Sequence, residues 1–260
     1  MSTDPVFDVS GKIVVITGGC GLIGRTLTKA LAERDAKLVV VDIESAEPEK
    51  WAAGLGDDHM GMVCDVSDED AVTALHDKVI ERYGRVDVLI NNHHFLAKGA
   101  WDTTAETFPS DAWRGIIDVN LTGLFWMCRK FGLTMLEQGK GVIINMASTY
   151  GVVSSNPALY TDNSLASPIA YSASKGGVVM ITKYLASYWG SRGVRVNSLT
   201  PHGVWNNHEP EFEKRFSEMT PLKRMMQPDE LVGATLFLAS DASSYVNGSN
   251  LLVEGGWTAW

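Results

Sequence analysis

The chain has 260 residues, 45% of them hydrophobic, and a formal net charge of −9 at pH 7. A chain of this size can bury one large core, and we therefore predict a single domain over residues 1–260. The acidic balance and the lack of any Lys/Arg run argue against nucleic acid or an anionic membrane as the main partner.

The cysteines and the N-terminus indicate where the protein resides. Cys20, Cys64 and Cys128 are widely separated and form no CxxC pair, which predicts neither a disulfide framework nor a metal site. The first residues, MSTDPVFDVSGK, lack a basic region followed by an apolar stretch, and no window approaches the roughly 18 apolar residues of a spanning helix. We expect a cytoplasmic protein.

Short runs of Val, Ile and Leu alternate with longer amphipathic segments along the chain. The predicted strands are 12–17, 37–42, 60–64, 86–90, 141–146, 194–199 and 250–254. The predicted helices are 22–34, 68–83, 110–137, 168–190, a short one near 210–219, and 229–239. Such apolar strands are covered on both faces. The pattern predicts an α/β fold, a Rossmann-type doubly wound parallel sheet of about seven strands with right-handed crossovers.

The first predicted strand leads into TGGCGLIG, residues 17–24, and then into a helical pattern. A turn from strand to helix offers backbone N–H groups and the positive end of a helix to an anion. Gly18, Gly21 and Gly24 are evenly spaced, as sugar-nucleotide epimerases favour, whereas the common short dehydrogenase turn has a glycine at the position of Leu22. Cys20 in this turn indicates a site for a small side chain.

Asp42 ends the second predicted strand. A carboxylate at this position can accept hydrogen bonds from both hydroxyls of an adenosine ribose, whereas it would repel a 2′-phosphate. No Arg or Lys adjoins Asp42 to receive such a phosphate. We therefore predict NAD rather than NADP as the cofactor.

A possible catalytic group lies in YSASK, where Tyr171 and Lys175 are four residues apart on one helix face. A nearby ammonium and an oxidised nicotinamide can lower the pKa of a phenol enough for proton transfer at neutral pH. Ser148 closes the fifth strand, where its hydroxyl can hold the reacting oxygen. Asn120 lies inside a predicted helix, an unfavourable place for Asn unless its amide has a function, such as holding a water that links Lys175 to solvent.

These motifs resemble the short-chain dehydrogenase/reductase family along nearly the whole chain. The further matches are CDVSD (64–68), NN (91–92), VRVNSLTP (194–201) and the closing segment from PLKRMMQPDELVG to LLVEGGW. The closing segments resemble the short single-domain branch, which lacks the extra substrate domain of the epimerases. TGGCGLIG is therefore interpreted as an epimerase-like turn on a short dehydrogenase.

The resemblance implies an Asn-Ser-Tyr-Lys tetrad of Asn120, Ser148, Tyr171 and Lys175. It also implies a set of NAD contacts from the turn and from the ends of the strands: Gly18, Gly21, Leu22, Ile23, Gly24, Asp42, Ile43, Asp65, Val66, Asn91, Tyr171, Lys175, Pro201 and Val204.

Several residues depart from the family pattern. The usual NNAG is NNHH here, so that His93 and His94 either face substrate, lie at the surface or pack in the interior. In PHGVWNN, His202 replaces a glycine, and Asn206 stands where the family often has Thr.

Two segments are candidates for substrate contacts. The segment between Ser148 and Tyr171 is longer than usual, and the insertion at about 150–168 is either a polar wall for a hydroxylated substrate or a surface loop. Its polar candidates are Asn156, Tyr160, Asp162, Asn163 and Ser164. The second segment, at about 202–225, falls where the family keeps its substrate lid.

We predict an NAD-dependent oxidoreductase that interconverts a secondary alcohol and a ketone on a hydroxylated small molecule such as a sugar or sugar derivative. The alternatives are an epimerase- or dehydratase-type isomerase or lyase that uses tightly bound NAD on a sugar nucleotide, and a non-catalytic NAD-sensing protein.

Family members are commonly homodimers or homotetramers. A partner surface would fit the apolar residues Leu124, Phe125, Met127 and Phe131, with Trp257 and Trp260 near the end of the sequence, although core packing explains the helix residues equally well.

Overall fold

A computed structural model gives the fold, and it describes residues 4–97, 103–160 and 169–260. Seven strands form one sheet: β1 (Ile13–Thr17), β2 (Lys37–Asp42), β3 (Met60–Val63), β4 (Val88–Asn91), β5 (Gly141–Met146), β6 (Val194–Pro201) and β7 (Asn250–Val253). The helices are α1 (Leu22–Ala32), α2 (Pro48–Leu55), α3 (Glu69–Tyr83), α4 (Ser110–Ile117), α5 (Leu124–Gln138), α6 (Ile169–Trp189), α7 (Pro210–Met219) and α8 (Val232–Ala239).

All neighbouring strands are parallel, in the order β3-β2-β1-β4-β5-β6-β7. From β1 the chain first adds β2 and β3 on one side of the sheet and then adds β4 to β7 on the other side, so the switch point lies between β1 and β4. Ligands of open α/β sheets bind at such a switch point, outside the carboxyl ends of the strands. The predicted α/β, doubly wound parallel sheet in a single domain is confirmed.

The five inner strands of the sheet are buried on both faces, as their apolar sequences predict, whereas the edge strands β3 and β7 are half-buried. Along β1, Val15 belongs to one apolar cluster with α3, α5 and α6, whereas Val14 and Ile16 belong to another with α1 and α8. The sheet is therefore the middle layer between two layers of helices.

Two features of the helices differ from the predictions. The short helix α2 was not predicted; it is only eight residues long and follows β2 after a 3₁₀ turn, Glu44–Ala46. The helix predicted over 110–137 is interrupted by a π-helical segment, Asp118–Gly123, between α4 and α5. Within the described residues, no helix is long and apolar enough to span a membrane.

Candidate active site

A cavity of about 940 Å³ runs along the carboxyl ends of the strands. Most of the predicted site residues line it: Gly18, Gly21, Leu22, Ile23, Asp42, Ile43, Asp65, Val66, Ser148, Tyr171, Lys175, Pro201 and Val204. Gly24, Asn91 and Asn120 are not among the lining residues. Asp42, the glycine turn and three of the four tetrad residues, Ser148, Tyr171 and Lys175, thus meet at one cavity, although their positions in the chain are far apart.

The glycine turn brings backbone close to backbone at one end of the cavity. Gly18 has a φ of +61°, and a Cβ there would lie 2.9 Å from the Cα of His93. A Cβ on Gly24 would lie 2.1 Å from the Gly18 carbonyl oxygen, so Gly24 acts through packing rather than as cavity wall. Helix α1 begins after Gly21, which has no side chain to cap the first N–H groups of the helix. This arrangement leaves the helix start open to an anion.

Asp42 lies at the next strand end and is held by the turn. Its Oδ2 accepts a hydrogen bond of 2.9 Å from the Cys20 N–H, and its Oδ1 accepts one of 2.9 Å from the Ile43 N–H. Burial raises the pKa of the Cys20 thiol to about 11, and Asp42 adds to this effect. Cys20 is therefore a neutral small side chain in the turn, in agreement with the interpretation from sequence.

Ser148 and Tyr171 both line the cavity, and their side chains are joined by a hydrogen bond. Burial raises the pKa of Tyr171, and a hydrogen bond with the Ser148 side chain opposes this effect. The Ser148 Oγ also accepts a hydrogen bond of 3.2 Å from the Tyr150 N–H, which orients the hydroxyl at the end of β5. In the free protein the Tyr171 phenol is thus protonated and ready to donate to an oxygen atom.

Lys175 is buried, with 3% of its surface exposed. Its Nζ donates a hydrogen bond of 2.8 Å to the Met146 carbonyl and lies 5.8 Å from the centroid of the Tyr171 ring. Burial lowers the pKa of its ammonium to about 8. The expected lowering of the Tyr171 pKa by Lys175 is not seen in the free protein, where burial dominates, and it stays a prediction for the cofactor-bound state.

Asn120 is fully buried in the π-helical segment. Its Oδ1 accepts a hydrogen bond of 2.6 Å from the Phe95 N–H, and its Nδ2 donates one of 3.1 Å to the Phe95 carbonyl. The amide also lies 3.4 Å from the Ser174 hydroxyl on α6. Asn120 therefore ties the loop after β4 to the helix that holds Tyr171 and Lys175.

Asn91 differs from the other predicted contacts because its side chain is turned into the interior. Its Nδ2 donates hydrogen bonds of 2.9 Å to Asn145 Oδ1 and 3.3 Å to Cys128 Sγ. The Asn91 side chain is thus held in a buried polar network with Asn145 and Cys128, so only the Asn91 backbone can face a ligand.

The two histidines that replace small residues after β4 have different environments. His93 is 8% exposed, and its Nδ1 lies 2.6 Å from the Thr17 hydroxyl. That hydroxyl also accepts a hydrogen bond of 3.1 Å from the Asn92 N–H, and the tautomer of the imidazole decides whether Thr17 or His93 donates in their bond. His94, in contrast, is exposed to the cavity.

The far end of the cavity is lined by aromatic side chains from the segments at 150–160 and 202–225. His202 is 7% exposed and packs edge-on against Tyr150 and Trp257, at centroid distances of 5.2 and 4.4 Å. Phe212 and Phe216 of α7 also line the cavity and pack into a cluster with Leu159 and Met225. Phe212 and Phe216 therefore belong both to an apolar cluster and to the cavity wall.

The insertion is only partly within the described residues. Asn156 caps a 3₁₀ turn by accepting a hydrogen bond from the Ala158 N–H and does not line the cavity, whereas Tyr160 does line it. Asp162, Asn163 and Ser164 lie outside the described residues.

Sequence reasoning missed Tyr150 as a wall residue. Its position two residues after Ser148, shortly beyond the end of a predicted strand, was the available signal.

Among the residues that the structure describes, no group of three or more His, Cys, Asp or Glu side chains is arranged to hold a metal ion.

Comparisons with known proteins agree with this architecture. The sequence model of a family described as enoyl-(acyl carrier protein) reductase, adh_short_C2, matches residues 21–258. The chain is 37% identical over 269 residues to D-threitol dehydrogenase of Mycolicibacterium smegmatis, which covers 99% of this chain and 97% of that protein.

Two solved structures are similar over nearly their whole lengths. A short-chain dehydrogenase from Leptospira borgpetersenii with bound NAD+ has a TM-score of 0.89 at 30% identity, covering 99% of this chain and 97% of that one. A gluconate 5-dehydrogenase from Burkholderia cenocepacia in complex with NADP and tartrate has a TM-score of 0.87 at 31% identity, covering 98% of both chains. The chain therefore belongs to the short-chain dehydrogenase/reductase family and is an oxidoreductase acting on CH–OH groups.

Proposed function

We propose that the protein is an NAD-dependent dehydrogenase that converts a secondary alcohol of a polyol or related sugar derivative to a ketone. The observation that supports this most directly is the placement of Ser148, Tyr171 and Lys175 in one wall of a cavity that extends to Asp42. Relatives and structural neighbours that act on threitol and gluconate support the substrate class.

The cavity fits a nicotinamide dinucleotide. The open helix start after Gly21 is suited to the pyrophosphate, and Asp42 to the adenosine ribose. Asp65 and Val66 line the same end of the cavity and would flank the adenine. Pro201 and Val204, with Tyr171 and Lys175, would hold the nicotinamide end. When bound, the cofactor supplies the hydride acceptor for alcohol oxidation.

The chain's own residues move the proton and hold the oxygen. Tyr171 Oη, as phenolate, takes the proton of the substrate hydroxyl as the C–H bond gives up its hydride, and in the reverse direction the phenol donates that proton. The Ser148 hydroxyl donates a hydrogen bond to the reacting oxygen and holds it against Tyr171. Lys175 stabilises the phenolate by its charge, and Asn120 keeps α6 and the loop after β4 in register.

The test is NADH formation at 340 nm with purified protein and a panel of tetritols, hexitols, aldonates, sugar nucleotides and simple secondary alcohols. We expect turnover with at least one polyol and release of stoichiometric NADH. Tightly retained NAD with no net NADH from any alcohol would contradict the proposal and favour an isomerase or lyase that uses the cofactor transiently.

The choice of NAD over NADP depends on Asp42 and on the lack of an Arg or Lys beside it in the described cavity wall; Arg25, whose Nε donates a hydrogen bond of 2.7 Å to the Cys20 carbonyl, does not line the cavity. Among the described residues of the cavity wall, Lys175 is the only Lys or Arg, and it lies at the other end. Ile43 is 53% exposed beside Asp42. Asp42→Asn, which keeps an acceptor for the Cys20 N–H, should improve kcat/KM with NADP about tenfold by removing the repulsion of the 2′-phosphate.

Adding Ile43→Arg to Asp42→Asn should raise the ratio of kcat/KM with NADP to kcat/KM with NAD about 100-fold in total, because the guanidinium can pair with the 2′-phosphate of NADP. Steady-state kinetics with both cofactors measure this ratio. A wild-type preference for NADP, or a double variant with an unchanged ratio, would show that Asp42 does not select the cofactor.

We also propose that the protein forms a homodimer or homotetramer. Met180, Tyr184 and Tyr188 recur every four residues on α6 and are 62%, 66% and 64% exposed, as expected of a surface covered by a partner. Of the residues suggested from sequence, Leu124, Met127 and Phe131 are buried in the chain's own core, Trp257 is half-buried, and Phe125 and Trp260 are exposed. Sedimentation velocity on the protein and on Tyr184→Glu tests this, with a smaller species expected for the variant.

A further inference from the structure

Tyr150 is fixed close to the predicted catalytic residues. It lies in a 3₁₀ turn, Thr149–Gly151, that begins directly after Ser148. Gly151 packs directly on α6, since a Cβ there would lie 2.5 Å from the carbonyl carbon of Lys175. The turn is therefore clamped between β5 and α6, and the Tyr150 side chain enters the same cavity as Ser148 and Tyr171. Burial raises the pKa of Tyr150, and the nearby Tyr160 and Tyr171 add to this effect.

The Tyr150 hydroxyl has a second phenol beside it. Its Oη lies 2.6 Å from the Oη of Tyr160, which also lines the cavity. Whichever of the two donates, Tyr150 Oη has capacity for at least one more hydrogen bond, because a phenol has one donor and two acceptor sites. Two phenols joined in this way form a polar patch in an otherwise aromatic wall.

His202 adds an uncharged donor or acceptor on the other side of Tyr150. Its ring packs edge-on against the Tyr150 ring, and its Nε2 is buried without a hydrogen-bond partner among the described residues. Burial lowers the pKa of His202 to about 3, so the imidazole is neutral at physiological pH. His202 therefore contributes an uncharged ring to the cavity wall beside Tyr150.

The charges of the wall disfavour an anionic substrate. In the described part of the wall, the charged side chains are Lys175 and the carboxylates Asp42, Asp65 and Asp118. No arginine is present there to pair with a carboxylate or a phosphate of the substrate. The far end of the cavity therefore offers hydroxyl and imidazole groups rather than cations.

We propose that Tyr150, supported by Tyr160, binds a second hydroxyl group of the substrate, so that the site selects uncharged vicinal diols and polyols over simple alcohols and over sugar acids. This inference rests on the proposed dehydrogenase function and specifies the substrate class of the same cavity. Tyr150 is here a specificity residue, and the proton transfer remains with Tyr171.

The experiment compares 2,3-butanediol with 2-butanol, and a tetritol with the matching four-carbon aldonate, for wild type, Tyr150→Phe and Tyr160→Phe. We expect the wild type to prefer the diol, and Tyr150→Phe to lower kcat/KM for the diol and the tetritol at least about tenfold while 2-butanol changes less than about twofold. Tyr160→Phe should show a smaller effect in the same direction. Tyr245→Phe, at a fully exposed tyrosine, is the matched control.

Calorimetric binding of the tetritol to the protein loaded with NADH, a complex that cannot oxidise the alcohol, is a second measurement, and Tyr150→Phe should weaken it at least about tenfold. Equal losses for diol and monohydric alcohol, or unchanged tetritol binding, would overturn the role of Tyr150. Equal turnover of aldonate and tetritol would overturn the selection against charge. If no alcohol is oxidised in a Tyr171-dependent way, the dehydrogenase function itself fails, an outcome that differs from loss of diol preference alone.

Discussion

Tyr171→Phe is expected to lower kcat/KM for polyol oxidation at least about 10³-fold, because it removes the only group in the proposed mechanism that accepts the substrate proton. The substitution deletes one oxygen and keeps the ring. Ser148 keeps its hydrogen bond from the Tyr150 N–H, so the wall of the cavity should stay in place. We therefore expect the affinity for NAD, measured by quenching of tryptophan fluorescence, to change less than about threefold.

The control for this substitution is Tyr245→Phe, since the Tyr245 side chain is fully exposed and lies outside the cavity wall. It should leave kcat/KM unchanged. A Tyr171→Phe protein that binds NAD normally and retains more than a tenth of the wild-type kcat/KM would assign the proton transfer to another group.

The positions of the strands in the chain and the grouping of the site residues followed from local patterns in the sequence. Continuous runs such as KIVVIT and KLVVVD are sufficient to predict strands buried on both faces, and all seven predicted strands are present. Because all strands are parallel, the residues after their carboxyl ends are brought to one edge of the sheet. This explains why the sequence alone predicts that Asp42, Ser148 and Pro201 lie at one cavity.

The features that the sequence did not predict depend on contacts between distant segments. The π-helical segment around Asn120 is fixed by hydrogen bonds to the Phe95 backbone and by the packing of Gly123 on Val66, where a Cβ would lie 2.8 Å away. Neither contact is visible in the periodicity of a helix. The inward side chain of Asn91 and the pairing of Tyr150 with Tyr160 are likewise tertiary contacts.

Lys175→Met should change how the free energy of unfolding depends on pH, because it removes the buried ammonium of Lys175. The Lys175 pKa is about 8 in the folded protein, below the ordinary 10.5. Between these two values the unfolded chain binds more protons than the folded one, so the free energy of unfolding rises as pH increases from about 8 to 10.5. The penalty below pH 8 is on the order of 3 kcal/mol. Lys175→Met should remove this rise and leave stability at pH 7 unchanged or higher, as judged by urea unfolding.

Activity should respond to Lys175→Met in the opposite way. Without the ammonium, burial alone acts on Tyr171, and its pKa should be higher than in the wild type when NAD is bound. We expect kcat/KM to fall about 10²-fold or more at pH 7, and the rising limb of the pH profile for oxidation to move up by at least about one unit. Lys29→Met, at an exposed lysine of α1, should alter neither property. A variant that loses stability at pH 7 but keeps the wild-type pH profile would make Lys175 a structural residue, whereas a stable variant with a displaced profile makes it the group that sets the Tyr171 pKa.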